Sequence, residues 1–286
     1  MLNATGPQAV HHGGMRILRW RGAGLPGSPL VLLHGLGDGA DIWSPVLRAW
    51  PGGAVAAIAP DLPGHGGSDH LAPKDYTLDV LAEHVACALE REAISRPVLI
   101  GHSLGARIVL QLAASGRVKA ARLVIVDVDP SPQEDVGDAV ESHLEALKAG
   151  APNTDTFVER IAQRLPLADR EVLKQTLEAL STARECESEI GVNLPFDPEI
   201  SRLLDTASEA DGWAQLSALD CPTAIVRGAF SSALSRETAE RMATTPRFGG
   251  PHLTVPSAGH AIALEQPAAL AQALAEALAR PARPLR

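Results

Sequence analysis

Residues 101–105 (GHSLG) contain the side chain best suited to nucleophilic chemistry. They follow a β-branched run, residues 97–100 (PVLI), and precede an apolar stretch with helical spacing. A serine between two glycines at a strand-to-helix turn is typical of a nucleophile elbow, in which a strained turn exposes the hydroxyl to a cleft. A serine hydroxyl alone is a poor nucleophile. We therefore expect a base within hydrogen-bonding distance of Ser103 and donors for an oxyanion.

Three further segments accompany this elbow in a fixed order. Residues 34–37 (HGLG) follow the predicted strand of residues 30–33, residues 61–68 (DLPGHGGS) follow that of residues 54–59, and residues 259–261 (GHA) lie near the end. Together with the elbow, these segments resemble the α/β-hydrolase superfamily in motif identity and in motif order, over nearly the whole chain. The resemblance implies an α/β fold with a mostly parallel central sheet flanked by helices. It also implies a serine hydrolase that needs no cofactor and no metal.

The resemblance assigns roles to four positions. Ser103 is the implied nucleophile, and His260 is the implied general base because the family places its catalytic histidine in a loop after the last strand. The oxyanion hole is expected to use the backbone N–H groups of Leu36 and Leu104. Main-chain donors allow apolar side chains at both positions. The other histidines of the motifs are interpreted as residues that support the loops: His34, His65 and His102.

The triad acid departs from the commonest family pattern. Many relatives read RGxxSDxL after strand seven, whereas residues 227–234 read RGAFSSAL, so Ser232 stands where the aspartate is expected. A histidine without an orienting anion loses its tautomer and the stabilisation of its imidazolium. We assign the acid to Asp127, because the loop after the sixth strand opens into the same cleft as the elbow. The chain resembles a group of small bacterial esterases that take their acid from this position.

Several alternatives to this assignment stay open. Ser232 is interpreted as a second hydrogen-bond partner of His260. Asp127 has a competing interpretation as a structural turn residue, since relatives with a strand-seven acid also carry an aspartate there. Asp129 is then the reserve acid, and Glu237 is a weaker candidate on a predicted helix.

The elements that position these residues follow from the apolar pattern. Short β-like runs alternate with helical patterns in the first half of the chain, which predicts a parallel sheet built by right-handed crossovers. The C-terminal stretch repeats Leu270, Leu274 and Leu278 after Pro267, which predicts a closing helix. We expect the tail, residues 281–286, to be frayed. The predicted strands are residues 16–20, 30–33, 54–59, 98–100, 123–126, 223–226 and 253–255.

The pattern changes between residues 130 and 219. Apolar residues there recur at helical spacing without a convincing strand, as in Leu173, Leu177 and Leu180. This predicts a helical lid, residues 130–219, inserted after strand six into a core formed by residues 1–129 and 220–286. Three aromatic residues of the predicted lid could form an apolar roof over a substrate or could pack within the lid itself: Phe157, Phe196 and Trp213.

Composition excludes several classes of function. Lysine and arginine number 25 against 34 aspartate and glutamate residues, a net charge of −9 that argues against nucleic acid and anionic membranes as partners. Cys87, Cys186 and Cys221 lack metal-ligand spacing and predict a reducing compartment, with the cytoplasm as the default. Residues 1–14 have no apolar signal-peptide core, and no apolar run reaches transmembrane length. The sequence contains neither the HExxH motif of a metal site nor the GxGxxG motif of a dinucleotide site.

These observations predict cleavage of a carboxylic ester or thioester through an acyl-enzyme, with a small-molecule acyl substrate that is free or carrier-bound. A serine at the elbow excludes the dehalogenases and epoxide hydrolases of this fold, which use aspartate there. Transfer of the acyl group to an alcohol, amine or carrier thiol is an alternative, as is product release by a biosynthetic thioesterase. A non-catalytic binding protein that uses the cleft as a ligand pocket is a third hypothesis. Perhydrolysis would share the same triad.

Overall fold

A nine-stranded sheet forms the centre of the computed structural model, which describes residues 6–23, 28–131, 136–182, 191, 194–203, 211–280 and 283–284. Its strands are β1 (Gln8–His12), β2 (Met15–Trp20), β3 (Leu30–Leu33), β4 (Ala57–Pro60), β5 (Val98–His102), β6 (Arg122–Val126), β7 (Thr223–Gly228), β8 (Phe248–Val255) and β9 (Arg283–Pro284). They lie in the order β1-β2-β4-β3-β5-β6-β7-β8-β9.

Six neighbouring strands, from β4 through β3 and β5 to β8, pair in parallel. The strands β1, β2 and β9 pair antiparallel at the two edges of the sheet. All four residues of β3 (LVLL) are buried, as expected for a parallel strand with both faces covered. The mostly parallel sheet of the sequence prediction is therefore confirmed.

Helices cover the sheet. They are α1 (Trp43–Arg48), α2 (Leu78–Arg91), α3 (Leu104–Ala114), α4 (Val136–Lys148), α5 (Thr154–Arg164), α6 (Arg170–Thr182), α7 (Gly212–Ala218), α8 (Arg236–Thr244), α9 (Ile262–Glu265) and α10 (Pro267–Ala279). Short 3₁₀ helices span Ala40–Ile42, Pro73–Asp75 and Pro198–Ser201. None of the helices in the described ranges is long and apolar enough to cross a membrane.

The edges of the sheet depart from the sequence prediction. The sequence predicts no strand before residue 16, whereas β1 spans Gln8–His12 and includes His11 and His12. It forms a hairpin with β2 through Gly13 and Gly14, whose φ angles of +58° and +80° suit glycine in a tight turn. At the other edge, Arg283–Pro284, expected to be frayed, pairs with the start of β8.

Between β6 and β7, the described residues include the helices α4, α5 and α6, hereafter the inserted helices, the 3₁₀ helix Pro198–Ser201 and α7. Side chains of α4 and α6 lie against the loop that follows β3. A methyl group on Gly37 would meet Leu144 of α4 at 2.9 Å and Leu147 at 3.0 Å. The division into a core and a lid at residues 130–219 remains a prediction.

The three aromatic residues of this segment lie in different surroundings. Phe157 is fully buried and belongs to the hydrophobic core. Phe196 is buried and bridges to His65 of the core. Trp213 donates from Nε1 to the Ser131 hydroxyl at 2.7 Å and lies under the guanidinium of Arg241, 3.8 Å from its ring centroid. These contacts favour the interpretation of the aromatic residues as packing.

Candidate active site

Ser103 occupies a strained turn between β5 and α3. Its φ and ψ angles are +52° and −114°, a conformation that residues with a side chain rarely adopt. A Cβ on Gly101 would collide with the carbonyl of Gly105, and a Cβ on Gly105 would collide with the carbonyl of Leu33. Both glycines of the motif are therefore required by close backbone approach. The turn leaves the Ser103 side chain partly exposed.

Ser103, His260 and Asp127 form a continuous chain of hydrogen bonds. The Nε2 atom of His260 lies 3.1 Å from the Ser103 Oγ atom, and its Nδ1 atom lies 2.8 Å from Asp127 Oδ2. A carboxylate can only accept, so it holds the proton on Nδ1 and leaves the lone pair of Nε2 facing the hydroxyl. That is the tautomer a general base for Ser103 requires.

The Asp127 carboxylate is fully buried at the end of β6, with a φ angle of +52°. Its Oδ1 atom accepts from the Gly228 amide at 3.0 Å, and its Oδ2 atom also accepts from the Ser231 hydroxyl at 2.5 Å. Two donors besides His260 thus compensate the burial of the charge. Both come from β7 and the turn that follows it.

The structure corrects the interpretation of Ser232. Its side chain is exposed and makes no hydrogen bond to His260, both residues lying in the described part of the chain. Ser231 instead contacts the triad, because its hydroxyl donates to Asp127. The Ser231 amide donates to the Gly228 carbonyl at 3.2 Å, and this turn directs residue 231 inward and residue 232 outward.

Both ring nitrogens of His260 pair with Ser103 and Asp127, and neither pairs with the two other candidate acids. The Oδ1 atom of Asp129 accepts from the Ser131 amide at 2.8 Å. Glu237 lies in the first turn of α8 and is exposed.

The loop that carries His260 is fixed from two sides. The Gly259 amide donates to Glu265 Oε2 at 2.5 Å, and His102 Nε2 donates to the His260 carbonyl at 2.8 Å. Burial raises the pKa of Glu265 and lowers the pKa of His102 to about 4. His102 is therefore a neutral donor at neutral pH. Sequence reasoning assigned it a supporting role but missed Glu265, which α9 places directly under the loop.

Two backbone amides next to Ser103 are free to donate. Neither Leu104, at the start of α3, nor Leu36, in the loop after β3, donates its N–H to any group of the described residues. The Gly105 amide donates to the His34 carbonyl at 3.1 Å, which joins the elbow to this loop. Leu36 and Leu104 are thus available as the oxyanion donors that the resemblance implies.

His34 connects the loop after β3 with the loop after β4. Its Nδ1 atom donates to the Gly35 carbonyl at 2.8 Å, and its Nε2 atom accepts from the Leu62 amide at 2.9 Å. His65 packs edge-on against it, with ring centroids 5.0 Å apart. Burial lowers the pKa of His34 to about 4 and that of His65 to about 3, so both act as neutral packing residues.

Two titratable groups near His260 were not singled out in the sequence. Asp38 follows the HGLG segment, and burial raises its pKa to about 6, although the charge of His260 opposes the shift. His143 lies on α4, and burial lowers its pKa to about 4, with smaller contributions from Arg164 and His260. Neither residue belongs to a motif. Only the fold brings them close enough to His260 for its charge to affect them.

The described residues contain no group of three or more histidine, cysteine, aspartate or glutamate side chains that could hold a metal ion.

The sequence profile of the alpha/beta hydrolase family matches residues 30–273. The chain belongs to this family. Esterase Rv0045c of Mycobacterium tuberculosis is 28% identical over 274 residues, which cover 92% of this chain and 86% of the relative. The 2-succinyl-6-hydroxy-2,4-cyclohexadiene-1-carboxylate synthase of Klebsiella pneumoniae is 30% identical over 264 residues, 90% and 96% of the two chains. This alpha/beta hydrolase also resembles the crystal structure of E-2-(acetamidomethylene)succinate hydrolase, with a TM-score of 0.81, 20% identity and coverage of 96% and 99%.

Proposed function

We propose that this alpha/beta hydrolase cleaves a carboxylic ester or thioester through an acyl-enzyme on Ser103. The observation that carries the proposal is the unbroken hydrogen-bond chain from the Ser103 hydroxyl through His260 to Asp127. The similarity to esterase Rv0045c supports the same chemistry. The substrate is a small-molecule acyl compound, free or carrier-bound.

Acylation uses the triad and the two backbone amides in turn. His260 Nε2 removes the proton as Ser103 Oγ attacks the carbonyl carbon, and Asp127 stabilises the imidazolium that forms. The negative charge on the carbonyl oxygen is stabilised by the N–H groups of Leu36 and Leu104. His260 then protonates the leaving alcohol or thiol as the bond to the acyl carbon breaks. In deacylation, water attacks the acyl carbon with His260 as the base, and the carboxylic acid leaves as Ser103 regains its proton.

Acyl transfer to an alcohol, amine or carrier thiol is a second candidate. It is favoured by the packing of Leu144 and Leu147 against the oxyanion loop, because a covered site would restrict the access of water. Here the inserted helices would act as the lid. A reducing, cytoplasmic location is proposed as well, supported by the free thiols of Cys87 and Cys221.

Covalent labelling tests the proposal. The wild-type protein and Ser103→Ala are incubated with a fluorophosphonate and weighed intact by mass spectrometry. We expect one phosphonyl adduct on the wild type and none on the variant. An unlabelled wild type would support a non-catalytic binding protein instead. Incubation of an active ester with water and an acceptor amine in competition then separates hydrolysis from acyl transfer.

A further inference from the structure

Asp38 lies in the loop after β3 and is connected to the triad by a single side chain, that of His102. Asp38 Oδ2 is 4.0 Å from His102 Nδ1, and His102 Nε2 donates to the His260 carbonyl at 2.8 Å. The rings of His102 and His260 also pack together, with centroids 4.8 Å apart. Asp38 and His102 therefore join the loop after β3, the end of β5 and the loop that carries the catalytic histidine.

Close packing holds these two side chains next to the nucleophile. A methyl group added to Gly35 would lie 3.0 Å from Asp38 Oδ2 and 3.2 Å from His102 Nδ1. The same methyl group would lie 3.4 Å from the Cβ atom of Ser103. The side chains of His102 and Asp38 are 6% and 20% exposed. Water has little access to their contact, so a charge on Asp38 is screened less than a charge at the surface.

The Asp38 carboxylate carries a charge that its neighbours do not neutralise. No lysine or arginine in the described ranges forms an ion pair with it. Burial lowers the pKa of His102 to about 4, so this ring is not a cation at neutral pH. Burial raises the pKa of Asp38 to about 6, against the opposing charge of His260, so Asp38 is ionised at pH 8. An interaction between two charges acts on both, and an ionised Asp38 therefore stabilises a cationic His260.

A cationic His260 is the state that the reaction creates. His260 becomes an imidazolium when it removes the Ser103 proton, and a nearby anion stabilises that state more than the neutral ground state. We propose that Asp38 is a positioning residue for the reaction, whose carboxylate acts through His102 to stabilise the imidazolium of His260 and so supplements Asp127. This inference rests on the proposed function and adds a residue to its mechanism.

The pH dependence of one substitution tests this role. Asp38→Asn removes the charge and keeps the shape of the side chain. The kcat/KM values for p-nitrophenyl butyrate are measured between pH 8 and pH 5.5, at the isosbestic wavelength of p-nitrophenol. We expect the wild type to exceed Asp38→Asn about tenfold at pH 8, the effect of one nearby opposite charge. At pH 5.5 the ratio should be about twofold or less, because Asp38 of the wild type has then taken up a proton.

The change of this ratio with pH distinguishes a charge effect from a packing effect. Damage to the loop would lower kcat/KM by the same factor at every pH. Asp79→Asn, which removes an exposed carboxylate on α2, is the control, and its ratio to the wild type should stay near one throughout. Circular dichroism confirms that each protein is folded at each pH. The other titratable groups that act on His102 or interact with His260 are present in both proteins and cancel in the ratio: His34, Asp127, His143 and Glu265.

A second variant guards against misfolding of the first. Asp38→Ser is smaller than the wild type at this position and keeps a hydrogen-bond acceptor, and we expect the same fall of the ratio towards acid pH. A ratio that is constant with pH, or that lies within about twofold of one at pH 8, would overturn the proposal. Failure of both variants to fold would also overturn it, because Asp38 would then have a structural role.

The behaviour of the wild type separates this inference from the proposed function. Ester cleavage and fluorophosphonate labelling of Ser103, together with a constant ratio, would overturn the role of Asp38 and leave the proposed function standing. A wild type that is neither labelled nor able to cleave the ester would contradict the proposed function, and the role of Asp38 would be refuted with it.

Discussion

Asp127 Oδ2 lies 2.8 Å from His260 Nδ1, although Asp127 follows β6 rather than β7. The two strands are direct neighbours, with Val126 paired to Val226, and the Asp127 amide donates to the Val226 carbonyl at 2.8 Å. The carboxyl ends of adjacent parallel strands meet at the same edge of a sheet. An acid from either strand end can therefore reach one imidazole.

Replacement of the acid is the first test of this relationship. In Asp127→Asn, the amide can donate to Nδ1 and so favour the tautomer that cannot accept the Ser103 proton, and the imidazolium loses its counter-charge. We expect kcat for p-nitrophenyl butyrate to fall by about three to four orders of magnitude. Asp79→Asn, which removes an exposed carboxylate on α2, is the control. Near-normal turnover of Asp127→Asn would show that the acid lies elsewhere.

Two adjacent serines provide the second prediction. Ser231 donates to Asp127 Oδ2, whereas Ser232 is exposed. Loss of a hydrogen bond to a charged group costs about 1.5–3 kcal/mol, so we expect Ser231→Ala to lower kcat at least about tenfold. Ser232→Ala should stay within about twofold of the wild type. Equal effects of the two substitutions would contradict the assignment. Unfolding by urea, measured alongside, separates a loss of stability from a loss of turnover.

These serines also show where sequence reasoning stops. The strand β3 and the elbow could be predicted because continuous apolar runs and flanking glycines report local backbone requirements. Which of two neighbouring serines turns inward depends on a hydrogen bond between residues 231 and 228, and no residue type reports it. The position of Asp127 beside His260 follows from strand order rather than from local sequence, because β6 and β7 are neighbours in the sheet.

The prediction of the strands at the sheet edges failed for a related reason. The strand β1 is largely exposed and therefore lacks the apolar pattern on which strand prediction depends. The start of β8 contains Gly249, Gly250 and Pro251, which are typical of a turn, and its pairing with β7 shifts register there. Asp38 was missed because a single carboxyl group after a glycine motif carries no signal until the fold places it against His102.

The third prediction concerns the elbow. In Gly105→Ala, the new methyl group would overlap the Leu33 carbonyl, a rigid part of β3 that cannot move aside. We expect either no soluble protein or a loss of fluorophosphonate labelling, since the α3 helix must shift away from β3 to accept the substitution. Gly6→Ala is the control, because no atom lies within 4 Å of its added methyl group. A labelled and stable Gly105→Ala would refute the close-packing explanation of the motif.

The fourth prediction addresses the contact between α4 and the oxyanion loop. Leu144 is 1% exposed and packs against Gly37. Leu144→Ala removes this contact and leaves a cavity, which we expect to lower the free energy of unfolding by about 2–4 kcal/mol. Leu167, which is 38% exposed, gives the control substitution Leu167→Ala, expected to cost under about 1 kcal/mol. Similar losses for both leucines, measured by urea denaturation, would contradict the packing described for α4.

The fifth prediction is a loss of stability in mild acid. The folded state lowers the pKa of His34, His102 and His143 to about 4 and that of His65 to about 3, mainly through burial. These imidazoles stay neutral in the folded protein, whereas the unfolded chain binds protons below its ordinary histidine pKa of about 6.5. Their stabilisation is therefore complete above pH 6.5 and is lost as the pH falls towards 4.

Asp38 acts in the opposite direction, because its pKa is raised to about 6 and its folded carboxyl group takes up a proton first. Four histidines against Asp38, with Glu265 also opposing, leave a net loss, which we expect to be of the order of 3 kcal/mol of unfolding free energy between pH 6 and 5. Urea denaturation at both pH values measures it. His65→Gln should flatten the pH dependence, since one of the four buried imidazoles is gone, whereas exposed His11→Gln should preserve it. Equal stability of the wild type at the two pH values would show that these imidazoles are accessible to protons in the folded protein.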